Sequence, residues 1–95
     1  MEDNEKTLAE LIARVDNTIV FVSTLTESQF EGSEERQVPI YFMPGKYMLG
    51  LDYVTKMALP NLYFHLTTAY SILRTNGMNL GKEDYIGALE FKDLA

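Results

Sequence analysis

The sequence GLDYVTKMALPNLYFHLTTAYSILRTNG, residues 50–77, decides the fold because it combines a helical apolar pattern with clear start and stop signals. Asp52 lies where the positive end of a helix dipole favours an anion, and Asn76–Gly77 supplies a left-handed stop. The pattern predicts a helix over residues 51–76. Its apolar residues recur at spacings of three and four, which places them on one side of a helix: Leu59, Leu62, Leu66, Ala69, Ile72 and Leu73.

Pro60 is the irregularity in this pattern. A proline inside a helix removes one backbone donor, and its ring clashes with the carbonyl group four residues earlier. We therefore expect the helix over residues 51–76 to be kinked near residues 57–61.

A second amphipathic helix is predicted over residues 7–26. Thr7 and Glu10 fit a capping box, in which each side chain accepts a hydrogen bond from a free backbone N–H group at the helix start. The apolar face is too wide for a two-stranded coiled coil, which favours a bundle. Its stripe consists of Leu8, Leu11, Ile12, Val15, Ile19, Val22 and Leu25.

Residues 37–49 join the two helices and carry a hairpin signal. Two β-rich apolar runs, at residues 38–42 and 47–49, flank Pro44–Gly45, which is typical of a turn. Pro39 cannot donate to a β-ladder, so the first strand should lie at an edge. The predicted fold is therefore mostly α, with two long antiparallel helices joined by a small β-hairpin.

Composition limits the function. Ninety-five residues allow one small domain, which we place over residues 1–95 with a C-terminal extension at residues 78–95. The net charge of -6 argues against nucleic acid and anionic membranes as partners. Cysteine is absent, which excludes a thiol nucleophile and a cysteine-based zinc site. The chain opens without a basic and apolar leader, so a cytoplasmic location is expected.

His65 is the single histidine of the chain, and Asn61 lies one helical turn before it. The pair is a candidate site for a divalent metal such as zinc or nickel. The alternative is a core histidine bonded to a neighbouring group, and since one histidine cannot make a three-ligand site, no cofactor is expected. Tyr63, Thr68 and Tyr70 form a candidate pocket, although aromatic clusters are more often packing.

Several blocks of this sequence resemble a known family. They are Asp52–Tyr53, Ala58–Asn61, Tyr63–His65, Thr67–Tyr70, Ile72–Arg74, Asn76–Gly77 and Leu80–Lys82. With these blocks, the closing stretch is similar to that of the domain-of-unknown-function family 1993, which is in turn similar to the DinB/YfiT-like superfamily of metal-dependent four-helix bundles. The resemblance covers residues 7–87 and implies a four-helix bundle.

The sequence departs from this family in two respects. Family members have two further helices before this segment, whereas this chain begins with its own Met and is expected to lack them. Superfamily metal sites use one histidine from an early helix and a His-x-x-x-His pair on a late helix. In this sequence the two positions of the late pair are occupied by Asn61 and His65, so one of the two histidines is replaced by asparagine.

Two functions are compatible with these features. The sequence favours a half-bundle that completes a DinB-like four-helix bundle by homodimerisation. It would be a non-catalytic binding or structural module, with an unknown small-molecule ligand. The alternative is a metal-dependent enzyme, such as a DinB-like hydrolase or thiol transferase, or its remnant, with a site around His65 at the dimer interface. A different protein that supplies the missing helices is a third hypothesis.

Overall fold

The computed structural model describes residues 2–94, which fall into two compact units, Met1–Ser33 and Glu34–Ala95. The structure is mostly helical and includes a small two-stranded antiparallel sheet. Within the described residues, no helix is both long and apolar enough to cross a membrane. The single domain over residues 1–95 stays a prediction.

The first unit is built on helix α1, Leu8–Ser23. Its capping box is confirmed: the Glu10 N–H donates to the Thr7 hydroxyl at 3.2 Å, and the Glu10 carboxylate accepts from the Thr7 N–H at 2.9 Å. The same carboxylate accepts from the Lys6 N–H at 2.7 Å. These hydrogen bonds lower the pKa of Glu10, and the bond from the Lys6 N–H has the largest effect.

Helix α1 ends before the predicted limit at residue 26, where backbone bonds three residues apart tighten the last turn. The Thr24 N–H donates to the Phe21 carbonyl at 3.0 Å and the Leu25 N–H to the Val22 carbonyl at 3.1 Å. A short 3₁₀ turn, Glu27–Phe30, follows.

The predicted hairpin is confirmed. Strands β1, Gln37–Pro39, and β2, Tyr47–Leu49, pair antiparallel with Val38 opposite Met48. Gly45 has a φ of 77°, a left-handed conformation that glycine adopts readily and that this turn requires. Among the described residues, Ile40 is the one large hydrophobic residue that is buried, with 6% of its surface exposed, so the small core lies at the hairpin.

A helical run follows β2 directly. It consists of helix α2, Gly50–Asp52, a π-helical segment, Tyr53–Ala58, and helix α3, Leu59–Thr75. The Leu59 N–H bonds to the Val54 carbonyl, five residues back. Because Pro60 has no N–H and its ring crowds the carbonyl four residues before it, a wider turn at this point relieves the clash. The irregularity is thus π-helical and begins before residues 57–61, and the kink expected there stays a prediction.

Helix α3 ends in the predicted Asn-Gly stop. Gly77 has a φ of 94°, and its N–H donates to the Arg74 carbonyl at 3.1 Å. The Met78 N–H donates to the Leu73 carbonyl at 3.1 Å, which completes a Schellman motif. Beyond this turn, helix α4, Lys82–Ile86, folds back on α3.

The apolar stripes of α1 and α3 are present but uncovered. Every residue of both stripes is exposed, and the large hydrophobic ones expose from 37% of their surface at Leu25, just beyond α1, to 73% at Leu8. Each stripe thus lacks, within its own unit, the burial that stabilises most helices in proteins.

Replacing Thr7 by Ala tests how much the cap contributes to α1. The variant loses the acceptor for the Glu10 N–H, so we expect the free energy of unfolding to fall by about 1 kcal/mol. Thr18→Ala is the matched control, since the Thr18 hydroxyl bonds only to the Arg14 carbonyl within the helix and alanine favours helix interiors. Urea unfolding followed by circular dichroism measures both. An equal loss in the two variants would contradict the capping role.

Candidate functional site

The candidate metal ligands Asn61 and His65 are both exposed on α3. The His65 ring contacts Phe64 edge to face, with ring centroids 5.3 Å apart. Among the described residues of its own unit, nothing buries that side of the helix. Among residues 2–94, no group of three or more His, Asp or Glu side chains could hold a metal ion. One imidazole with an amide neighbour does not fit the three protein ligands of a catalytic zinc site.

Of the three residues of the candidate pocket, Thr68 lies apart from the other two. Tyr63 is exposed, and Tyr70 is half-buried against α4. The Thr68 hydroxyl donates to the Phe64 carbonyl at 2.7 Å, which occupies it within the helix. At 100° per residue, Thr68 points away from the side of α3 that carries Tyr63 and Tyr70.

Tyr70 instead belongs to a cleft between α3 and α4, which we call the cationic cleft. It has a volume of about 370 Å³. Helical spacing places three of its residues on one side of α3, and the turn after Gly77 brings the other two from α4. The lining residues are Thr67, Tyr70, Arg74, Lys82 and Tyr85.

Hydrogen bonds and ring contacts fix this cleft. The Arg74 guanidinium donates to the Tyr70 hydroxyl at 3.1 Å, and its central carbon lies 6.0 Å from the centroid of that ring. The hydroxyl groups of Thr67 and Tyr85 are 3.2 Å apart. The rings of Tyr70 and Tyr85 meet edge to face at 5.9 Å, a favoured aromatic geometry. The cleft is thus partly organised before any ligand binds.

An apolar cleft of about 240 Å³ shares the two tyrosine side chains. Leu66, Leu73 and Leu80 line it together with Asp84. The Asp84 carboxylate accepts a hydrogen bond from the Gly81 N–H at 2.7 Å. A ligand at the tyrosine pair would therefore have cations at one side and aliphatic surface at the other.

The first unit contains a larger cleft, of about 620 Å³, but its arginine is already paired. Arg14 forms ion pairs with Glu5 at 2.6 Å and Asp3 at 2.9 Å. Two hydrogen bonds lower the pKa of Glu5. The bond to its own backbone has the larger effect, and the bond from the Arg14 side chain comes second. The arrangement ties the N-terminal residues to α1 and leaves no free guanidinium there for an anionic ligand.

Sequence reasoning identified Tyr70 and missed the other four residues of the cationic cleft. The spacing of Thr67, Tyr70 and Arg74 was a usable signal, since it marks one helical face. Lys82 and Tyr85 carried no such signal in the sequence, because only the geometry of the turn after Gly77 brings them to that face of α3.

The helices and the small two-stranded antiparallel sheet define a mostly helical class of protein. The sequence matches the model of the family described as Domain of unknown function (DUF1993) over residues 1–86. The chain belongs to this family, as the resemblance in the sequence indicated. No curated protein matches the sequence significantly.

A solved structure supports the same assignment. The chain is similar to a DinB family member protein from Shewanella denitrificans, determined by crystallography at 1.83 Å, with 40% sequence identity and a TM-score of 0.92. The match covers 99% of this chain and 53% of that chain. This chain therefore spans about half the length of the solved structure.

The geometry at His65 leads to a prediction about metals. Excess zinc or nickel should leave the melting temperature unchanged, because one imidazole and one amide give too few ligands. A ligand that binds only the native state must raise the melting temperature. Differential scanning calorimetry on protein without a His tag, with His65→Ala as the control, measures this. A rise that the control lacks would favour the metal-dependent alternative.

Proposed function

We propose that this chain is a non-catalytic association module, in which two copies combine to cover the apolar faces of α1 and α3. The observation that carries the proposal is the exposure of those faces. Ile19 in the first unit and Ile72 in the second expose 58% and 57% of their surface. Apolar surface on this scale marks an interaction site or causes aggregation.

The number of helices also supports two copies. Bundles bury wide apolar stripes by combining four helices. Each chain contains α1, of 16 residues, and α3, of 17 residues, so two copies would bring four such helices together. The solved DinB family member is about twice as long as the matched segment, so a second copy would supply a comparable length of chain.

A second copy is preferred over an unrelated partner because a two-fold interface needs one self-complementary surface. The net charge of -6 per chain opposes association. Exposed charges are screened over about 8 Å at physiological salt, so this repulsion is weak compared with extensive apolar burial.

The binding or structural role rests on the side chains of α3. His65 has no second histidine beside it to hold a metal, and Thr68 is bonded to the helix backbone. Neither therefore provides an activated nucleophile or a metal-bound water of the kind that hydrolases and thiol transferases use.

Light scattering on a size-exclusion column tests the proposal with the 95-residue chain. At micromolar concentration we expect twice the chain mass, about 21.6 kDa from two chains of 10.8 kDa. A monomeric mass, whether the chain melts cooperatively or aggregates on heating, would contradict the homodimer. A monomer that elutes as a dimer-sized complex only with a second polypeptide would assign the surface to a different partner.

A charge placed within the apolar stripe makes the test specific. Val15→Glu adds a carboxylate to the stripe of α1, where burying an unpaired charge in an interface is costly. We expect this variant to be monomeric. Asn17→Glu adds the same charge on the other side of α1 and should remain dimeric. Dissociation of both variants would show that net charge, and not the stripe, governs association.

A further inference from the structure

We propose that the cationic cleft is a binding site for a small oxyanion, the carboxylate or phosphate group of an organic ligand. The site consists of Arg74 and Lys82 with the hydroxyl groups of Thr67, Tyr70 and Tyr85. The proposal does not depend on dimerisation, because all five residues lie in the unit Glu34–Ala95.

The first observation is the charge of the lining. The chain has fourteen acidic and eight basic residues, yet the cleft contains two cations, and no carboxylate among the described residues lines it. Neither Arg74 nor Lys82 forms an ion pair within residues 2–94, whereas Arg14 and Lys56 do. Unpaired cations are common on surfaces, so charge alone does not define a site.

The second observation is that donors converge on the same space. Arg74 uses one nitrogen, Nη1, to bond the Tyr70 hydroxyl at 3.1 Å, which orients the guanidinium and leaves its other N–H groups available. The Tyr85 and Thr67 hydroxyls lie 3.2 Å apart and share one hydrogen bond, so one of the two protons remains free to donate. A planar guanidinium beside hydroxyl donors matches the oxygens of a carboxylate or phosphate.

The third observation concerns the nearby acids, which do not face the cleft. Asp84 lines the apolar cleft, and its carboxylate accepts from the Gly81 N–H at 2.7 Å. A carboxylate oxygen of Glu83 folds towards Gly81, since a Cβ atom built there would lie 2.8 Å from it. The two acids that follow Lys82 in the sequence therefore do not neutralise it within the cleft.

The shape of the site indicates the class of ligand. The rings of Tyr70 and Tyr85 line the cationic cleft beside Arg74 and Lys82. A ligand whose anionic group binds the two cations could thus pack an apolar body on the tyrosine rings, without reaching the leucines of α3 that the proposed dimer would cover. Small aromatic or aliphatic acids and phosphate monoesters have this chemistry.

NMR titration of the ¹⁵N-labelled chain tests the proposal, with inorganic phosphate and benzoate as probes. We expect saturable binding of at least one probe with a dissociation constant on the order of millimolar, and amide shifts confined to residues of the cationic cleft. Tighter binding of benzoate would indicate a carboxylate ligand, and tighter binding of phosphate a phosphate ester. The absence of saturable binding of either probe would overturn the proposal.

Charge-removing variants separate a site from general attraction. Arg74→Gln and Lys82→Gln should each weaken binding by about tenfold or more, because each removes a charged donor. Arg36→Gln removes the same charge from an exposed position in the same unit and should leave the affinity unchanged. Equal weakening in Arg36→Gln would contradict a localised site.

Tyr85→Phe keeps the ring and removes only a hydroxyl group. We expect it to weaken binding by a few-fold with little change in the spectrum of the free protein. It keeps the proposal testable if the variants at Arg74 or Lys82 do not fold. Unchanged affinity in Tyr85→Phe would remove the cleft as the site.

Discussion

Burial of the apolar faces of α1 and α3 is the interaction on which the folded state of this protein depends. Short-range interactions shape each helix, yet caps, turns and hairpin bonds contribute only about 1 kcal/mol each. Helices of this length are marginal in water without tertiary burial. With Ile40 as the one large buried hydrophobic residue among residues 2–94, such local terms are too small to offset the conformational entropy that folding removes. Covering the apolar faces is therefore a condition for a stable native state.

The features that the sequence predicted correctly are those that nearby residues determine. Thr7 and Glu10 form their capping box within one turn, and the Pro44–Gly45 turn sets the hairpin. Asn76 and Gly77 end α3. The end of α1 was placed three residues too late, since the N–H groups of Thr24 and Leu25 donate to carbonyls three residues back and not four. A periodicity of apolar residues carries no information about this tightening of the last turn.

The site was harder to predict because its parts are distant in the sequence. Lys82 and Tyr85 reach the side of α3 that carries Arg74 only through the turn after Gly77. The single histidine, His65, is of the residue type that most often binds metals in proteins. Among the described residues, however, no group of metal-binding side chains surrounds it. Family membership agrees with the helical fold and names no activity. The chemistry suggested by the structure therefore lies in the cationic cleft, on the opposite side of α3 from His65.

Unfolding at different protein concentrations tests most directly whether apolar burial between chains stabilises the fold. Urea denaturation followed by circular dichroism would be measured over a hundredfold range of concentration. If folding is coupled to association, the midpoint rises with concentration, because mass action favours the native dimer. A cooperative transition whose midpoint does not change with concentration would show that one chain is stable alone, and would contradict this account.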